Sequence, residues 1–283
     1  MDLINFITED LLRAFAFVGL YCILFLCAKW MKDFLVSYSI NDELVLQDNT
    51  ATAITMCGYY LGVLAIFVGA MVGPSYGFLE DLMLVGGYSV LGLVLLNTSR
   101  FFNDRFILYK FSNSEQIINQ KNIAVGAVQC GTYIATGLIA AGAITGVGGG
   151  VLTTIVFFVL GQISLLLFTF IYDFVTPYAI HDELLKKNQA VGLALGGTLI
   201  ALGIIIFNGV AGDFISWQAN GINLLIVNTT AFAFLPCVRF CFDKLIIPGD
   251  NLTREIIEDQ NLGAGMLEAV VAISFALVLT LVL

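Results

Sequence analysis

Apolar residues in this chain gather into eight long runs, at 11–31, 51–73, 78–99, 123–146, 151–175, 189–212, 215–238 and 262–283, separated by short polar connections. Each run reaches or exceeds the ~20 residues that cross ~30 Å of hydrocarbon as a helix. Leu, Ile, Val, Phe and Gly dominate them, and none shows the alternation of a membrane β-barrel strand. The pattern predicts an all-α polytopic transmembrane bundle of eight helices. Composition agrees: 59% of residues are hydrophobic, 12% are charged and mean hydropathy is +0.94, more apolar surface than a soluble core of this size requires.

The polar positions carry a second pattern. An Asn followed by small residues opens each even-numbered run, at Asn49, Asn122, Asn188 and Asn261. The first and third are 188 − 49 = 139 residues apart, and so are the second and fourth, 261 − 122 = 139. Tyr38, Ile40, Asp42, Glu43 and Leu44 also recur as Tyr178, Ile180, Asp182, Glu183 and Leu184. Regular self-similarity of this kind marks a duplication. The modules are 1–146 and 147–283, four runs each. Because each unit crosses the bilayer an even number of times, the copies are parallel repeats and not inverted ones. A pseudo-twofold bundle approaching fourfold symmetry follows.

Charge sets the expected orientation. Eleven of the twelve Lys and Arg residues lie at or between the ends of runs 1–2, 3–4, 5–6 and 7–8; only Arg13 lies on the other side. By the positive-inside rule those connections face the cytoplasm and both termini face outward. Asp2, Glu9 and Asp10 precede the first run where a signal peptide carries positive charge, so it reads as a retained helix. The net charge of −9 argues against nucleic acid as a partner. The implied surroundings are a lipid bilayer, with a second copy or a membrane or cytoplasmic protein as candidate partners.

The doubled Asn-small-small entry, read here in DNTATAITMCG, KNIAVGAVQCG, KNQAVGLALGG and QNLGAGMLEAV, has an acidic residue a few positions upstream. With four spans per module, it resembles the YjfL-like inner-membrane family, also called domain of unknown function 350, in two tandem copies. The first and fourth copies depart from the pattern, with Ala53 in place of Gly and Gly263 in place of Ala. The resemblance implies a bacterial inner membrane and a link to envelope maintenance. It implies no reaction and supplies no catalytic residues.

Counted from each Asn at ~100° per residue, small residues at +2, +9 and +13 form one stripe: Ala51, Gly58 and Gly62; Ala124, Gly131 and Ala135; Ala190, Gly197 and Ala201. Those at +4 and +8 fall nearly opposite: Ala53 and Cys57; Gly126 and Cys130; Gly192 and Gly196; Gly265 and Ala269. Small residues let helix backbones approach in lipid, so the even helices are expected inside and the Phe-rich odd helices toward lipid.

Glu268, seven residues into its copy, and Gln129 at the same offset are the candidate intramembrane polar site, together with Asn49, Asn122, Asn188 and Asn261. An acid at that depth demands a partner, water or a proton. The Asn side chains are expected to cap helices or to tie one repeat to the next. Arg100 with Asp104, and Arg239 with Asp243, are i, i+4 pairs expected to anchor helix ends at the interface. Asp33 and Asp173 stand within reach of those arginines, and Pro236 should kink the seventh run. The single histidine, His181, is expected on the surface. The six cysteines lie within or at the ends of runs without metal spacing, and the Gly146–Gly150 cluster lacks the Lys-Ser/Thr of a phosphate loop. No cofactor, metal site or catalytic residue is expected. Two functional readings follow: a non-enzymatic assembly module, or a small-ion or proton pathway with Glu268 as its titrating group.

Overall fold

The computed structural model describes residues 2–241 and 252–282, with side chains over 10–233 and 252–282. In chain order the helices are α1 (Asp2–Leu35), α2 (Ile40–Val45), α3 (Thr50–Met71), α4 (Phe78–Phe106), a π-helical turn (Glu115–Asn119), α5 (Ile123–Ile144), α6 (Val151–Val175), α7 (Ile180–Leu185), α8 (Gln189–Val210), α9 (Trp217–Cys241), α10 (Leu252–Ile257) and α11 (Leu262–Val282). Among the described residues, seven of the long helices are long and apolar enough to cross a membrane. The remaining long helix, α9, carries Asn220, Asn223, Asn228, Thr229 and Thr230 along it.

The even-numbered runs fold as α3, α5, α8 and α11, and they meet through their small residues in the same way three times. A Cβ placed on Gly126 would lie 2.8 Å from the carbonyl oxygen of Ala51; on Gly192, 2.5 Å from that of Ala124; on Gly265, 2.4 Å from that of Ala190. Each contact sets position +4 of one copy on position +2 of the copy before it. Two turns further along, Gly58 meets Cys130, Gly131 meets Gly196, and Gly197 meets Ala269, pairing +9 with +8. Higher still, Gly137 meets Gly62 and Gly203 meets Ala135. The two stripes therefore serve two different neighbours. Because the contacts climb both helices in step, neighbouring copies run parallel.

Packing follows from this. The order across the membrane is α3, α5, α8, α11, each against the next. The odd helices form a second layer seated over the joints: α4 touches α3 and α5, α6 touches α5 and α8, α9 touches α8 and α11, and α1 covers α3 and α4. The inner pair is enclosed, with 78% of the spanning windows of α5 and α8 buried.

Two expectations change. The even helices form an open row and not a near-fourfold ring, since α3 and α11 at its ends share no contact like those inside. Nor is every even helix interior: only 17% of the α11 window is buried. The cause lies in the end copies. Val270 stands at +9, where the other three copies have Gly58, Gly131 and Gly197. Leu64 stands at +15, where the inner copies have Gly137 and Gly203. Both are exposed, because a branched side chain at either place holds off a further backbone.

The joint at Gly131 yields a direct test. Gly131→Val would drive methyl groups into the Gly196 backbone, whose oxygen would lie 2.2 Å from the new Cβ. Overpacking against rigid backbone costs about 1–3 kcal/mol or more. Gly87 has nothing within 4 Å, so Gly87→Ala should leave stability nearly unchanged. Thermal unfolding in detergent should separate the two variants clearly.

Candidate functional site

The Asn motif builds one structure four times. A short helical turn precedes it, α2, the π-helical turn, α7 or α10. The residue just before the Asn then adopts left-handed backbone, with φ 46° at Asp48, 47° at Lys121, 63° at Lys187 and 46° at Gln260. This kink turns the chain into the next helix, whose first free N–H groups the Asn side chain caps. Asn49 Oδ1 accepts from the Thr52 N–H, Asn122 Oδ1 from Ala124 and Val125, Asn188 Oδ1 from Ala190 and Val191, and Asn261 Oδ1 from Gly263 and Ala264.

The amide end of the same side chain does the second job. Asn49 Nδ2 donates to Glu43 at 2.8 Å and to the Ile117 carbonyl at 2.9 Å. Asn122 donates to Gln116 at 3.0 Å and to the Leu184 carbonyl at 2.8 Å. Asn188 donates to Glu183 at 3.2 Å and to the Ile256 carbonyl at 2.8 Å. The first partner is the acid or amide of its own turn; the second belongs to the next repeat. Asn261 donates to Glu255 at 2.7 Å, reaches no other repeat among the described residues, and is exposed. Lys121 and Lys187 strengthen the same seam from the other side, donating to the carbonyls of Gln47 and Gln120 in the preceding repeats.

Deeper in the first module lies a buried charged node that the sequence reading did not isolate. Lys32 of α1 is 2% exposed. Its ammonium sits 5.1 Å from the Tyr59 ring centre and 4.3 Å from that of Tyr133, and donates to the Tyr133 hydroxyl. The Tyr59 hydroxyl donates to the Ala28 carbonyl at 3.0 Å and accepts from Asn97 at 3.1 Å. Beside them Asp104 accepts from Arg100 at 3.3 Å, Gln129 at 2.7 Å and Asn113 at 2.9 Å. All four long helices of the module contribute. Arg100 and Asp104 are paired as expected, but they are part of this node and not a simple surface anchor. The signal was present as Tyr59, Asn97 and Tyr133, polar side chains inside apolar runs.

The second module varies this plan. Tyr172 stands where Lys32 stands, and Glu268 where Gln129 stands. Glu268 is buried, and the Tyr172 hydroxyl donates to it at 3.4 Å. Gln129 and Glu268 therefore occupy separate places, on α5 and α11 with α8 between them, and the four Asn lie apart from both at the helix entries. Arg239, Asp243 and Pro236 lie outside the residues whose side chains are described.

His181 departs from expectation. It is 4% exposed and not on the surface, because α7, which carries it, tucks against the end of α4 at Ile107. Its Nε2 lies 3.0 Å from the Ile107 carbonyl, and Tyr109 packs on the ring at 4.4 Å between centres. Desolvation by burial holds its pKa below the usual imidazole value, against the pull of Asp173, 3.9 Å from Nδ1. Asp173 thus faces the histidine. The contacts of His181 with Ile107 and Tyr109 tie the second module to the first.

Comparison with known families reaches the same duplication. A family model described as Domain of Unknown Function (DUF350) matches residues 6–144 and again 146–283. The chain belongs to this family. It carries two tandem copies of the DUF350 unit, with the Asn seam running through both. No curated protein and no solved structure matches it. Among the described residues of this DUF350 protein, no group of three or more His, Cys, Asp or Glu is placed to hold a metal ion.

The seam makes a graded prediction. Asn122→Ala removes a helix cap, worth about 1 kcal/mol, and leaves the buried Leu184 carbonyl without its donor, a further ~1–3 kcal/mol. Asn261→Ala loses the cap and an exposed bond to Glu255, and strands no buried carbonyl of another repeat among the described residues. Chemical unfolding in detergent should show Asn122→Ala as the more destabilised of the two.

Proposed function

We propose that this protein is a non-enzymatic assembly block of the bacterial inner membrane, its Asn-bearing end in the cytoplasm and both termini outside. The positive-inside count supports the orientation, with eleven of twelve basic residues at that end. The observation that carries the functional reading is backbone contact along the even row. Three successive helix pairs meet with no room for a Cβ at their glycine contacts, which supports a packed row over a passage along these joints. A stack so close-packed presents a fixed surface, and its exposed acids at the Asn end, Asp42, Asp48, Asp182 and Glu258, offer a cytoplasmic or membrane partner a docking face. The family resemblance supports placing that role in envelope maintenance.

A second reading has its own support. Glu268 is buried in the membrane zone beside the Tyr172 hydroxyl, and an intramembrane acid is a recurrent proton or ion group. Reconstitution distinguishes the two. Proteoliposomes carrying the full chain should pass protons and small cations no faster than empty vesicles, and a photo-crosslinker placed at Asp182 or Glu258 should trap a discrete protein adduct in cells. Proton or cation flux that disappears in Glu268→Gln would overturn the assembly reading in favour of a conduction pathway.

A further inference from the structure

The duplication provides an internal control at the end of the molecule opposite the Asn motifs. There the two modules differ sharply in one place. In the second module, Phe157, Phe214 and Trp217 fill the space between the helix ends. Phe157 stacks on Trp217 at 6.0 Å between ring centres, and Phe214 meets Trp217 edge-on at 5.1 Å. Thr153 is spent on the Gly150 turn, and Asn220 accepts from the Ile215 and Ser216 N–H groups. The remaining cavity is about 80 Å³.

In the first module the counterparts of Phe157, Phe214, Trp217, Thr153 and Asn220 are Phe17, Ser75, Phe78, Arg13 and Asp81. Ser75 is too small to replace Phe214, and the space opens to a cavity of about 350 Å³. Arg13 stands on its wall, with its guanidinium 6.0 Å from the Phe78 ring centre. Asp81 keeps the loop-holding task of Asn220: its Oδ1 accepts from the Tyr76 N–H at 2.8 Å and its Oδ2 from the Ser75 hydroxyl at 2.5 Å. Arg13 makes no ion pair within 4.0 Å among the described residues, and Asp81 feels its charge only at longer range. Tyr76 and Tyr88 add polar edges, while Phe17 and Leu84 supply apolar wall. One copy of the repeat has a plug where the other has a cavity and, among the described residues, the only basic side chain on that side of the molecule.

We propose that this cavity binds the phosphate group of an anionic amphiphile, with Arg13 as its counter-charge and the Phe17–Leu84 wall against the adjoining carbon chain. The occupant fits the place: the cavity lies at the end of the spanning helices, where headgroup phosphates lie, and a guanidinium stands on its wall, a group that pairs with phosphate through two donors. The shared chemistry is a phosphate group, carried by a lipid or free in solution.

The test uses the full chain in nanodiscs of mixed phosphatidylglycerol and phosphatidylcholine, with native mass spectrometry reading the lipids retained on release. Wild type should retain phosphatidylglycerol over phosphatidylcholine by about fivefold, the weight of one basic residue at an anionic headgroup. Arg13→Gln should abolish that preference. Ser75→Phe, which installs the plug of the second module, should lower total lipid retained, while Asp81 still holds the loop through the Tyr76 N–H. Inorganic phosphate, tested alone in lipid-free detergent, should raise the melting temperature of wild type and not of Arg13→Gln if the source is free phosphate, which also supports the site. Equal retention of both lipids by wild type and both variants, with no effect of inorganic phosphate, would overturn the proposal.

Discussion

Inside a bilayer, two apolar helices gain nothing by hiding from the lipid tails, because the tails are as apolar as they are. Association has to come from close packing and from polar groups that lack water. That constraint explains why this chain spends its small residues on the even runs and arranges them in two opposed stripes. One stripe alone would give pairs. Two stripes give each helix a neighbour on either side, with carbonyl oxygens and Cα atoms of one backbone lying where a Cβ of the next would be. The row α3–α5–α8–α11 is the result, and the odd helices, with no comparable stripes, settle over its joints.

The row also governs where polarity can go. Holding the helix entries at fixed spacing places each Asn amide opposite the next connection's carbonyl, so one side chain caps its own helix and fastens the following repeat. The buried Lys32–Tyr133 and Asp104–Gln129 contacts belong to the same logic. Charges withdrawn from water are tolerable only with partners fixed in place, and a node drawn from four helices supplies them. With the scaffold held by small residues and capped entries, the positions around it were free to diverge between modules. Lys32 became Tyr172, Gln129 became Glu268, Arg13 became Thr153 and Ser75 became Phe214, in whichever direction the changes ran.

Much of this was legible in the sequence. Run length gave the spans, and the 139-residue spacing of the Asn residues gave two equivalent modules. The +2, +9, +13 and +4, +8 offsets named the residues that meet, because helical geometry is local and the angle per residue is known. Asn capping was readable for the same reason. Whether the row closes was not, since closure depends on the end copies, and the consequence of Val270 or Leu64 appears only against the neighbours they lack. Burial of His181 depended on how α7 tucks against the end of α4, a long-range event with no periodic signal. The Lys32 node was hidden because a lysine at the end of an apolar run reads as a topology marker. Its burial comes from Tyr59 and Tyr133, brought from other helices.

The central claim is that successive copies lie side by side and parallel in an open row. The native cysteines at +8 in the first two copies, Cys57 and Cys130, test it most directly. With a protease site inserted near Ser112, a short bifunctional thiol reagent should keep the two fragments joined in the membrane, and Cys130→Ser should release them. In that Cys130→Ser background Ala269→Cys should fail to restore the link, because α11 is at the far end of the row. A link between Cys57 and the cysteine at 269, with none between Cys57 and Cys130, would contradict the account.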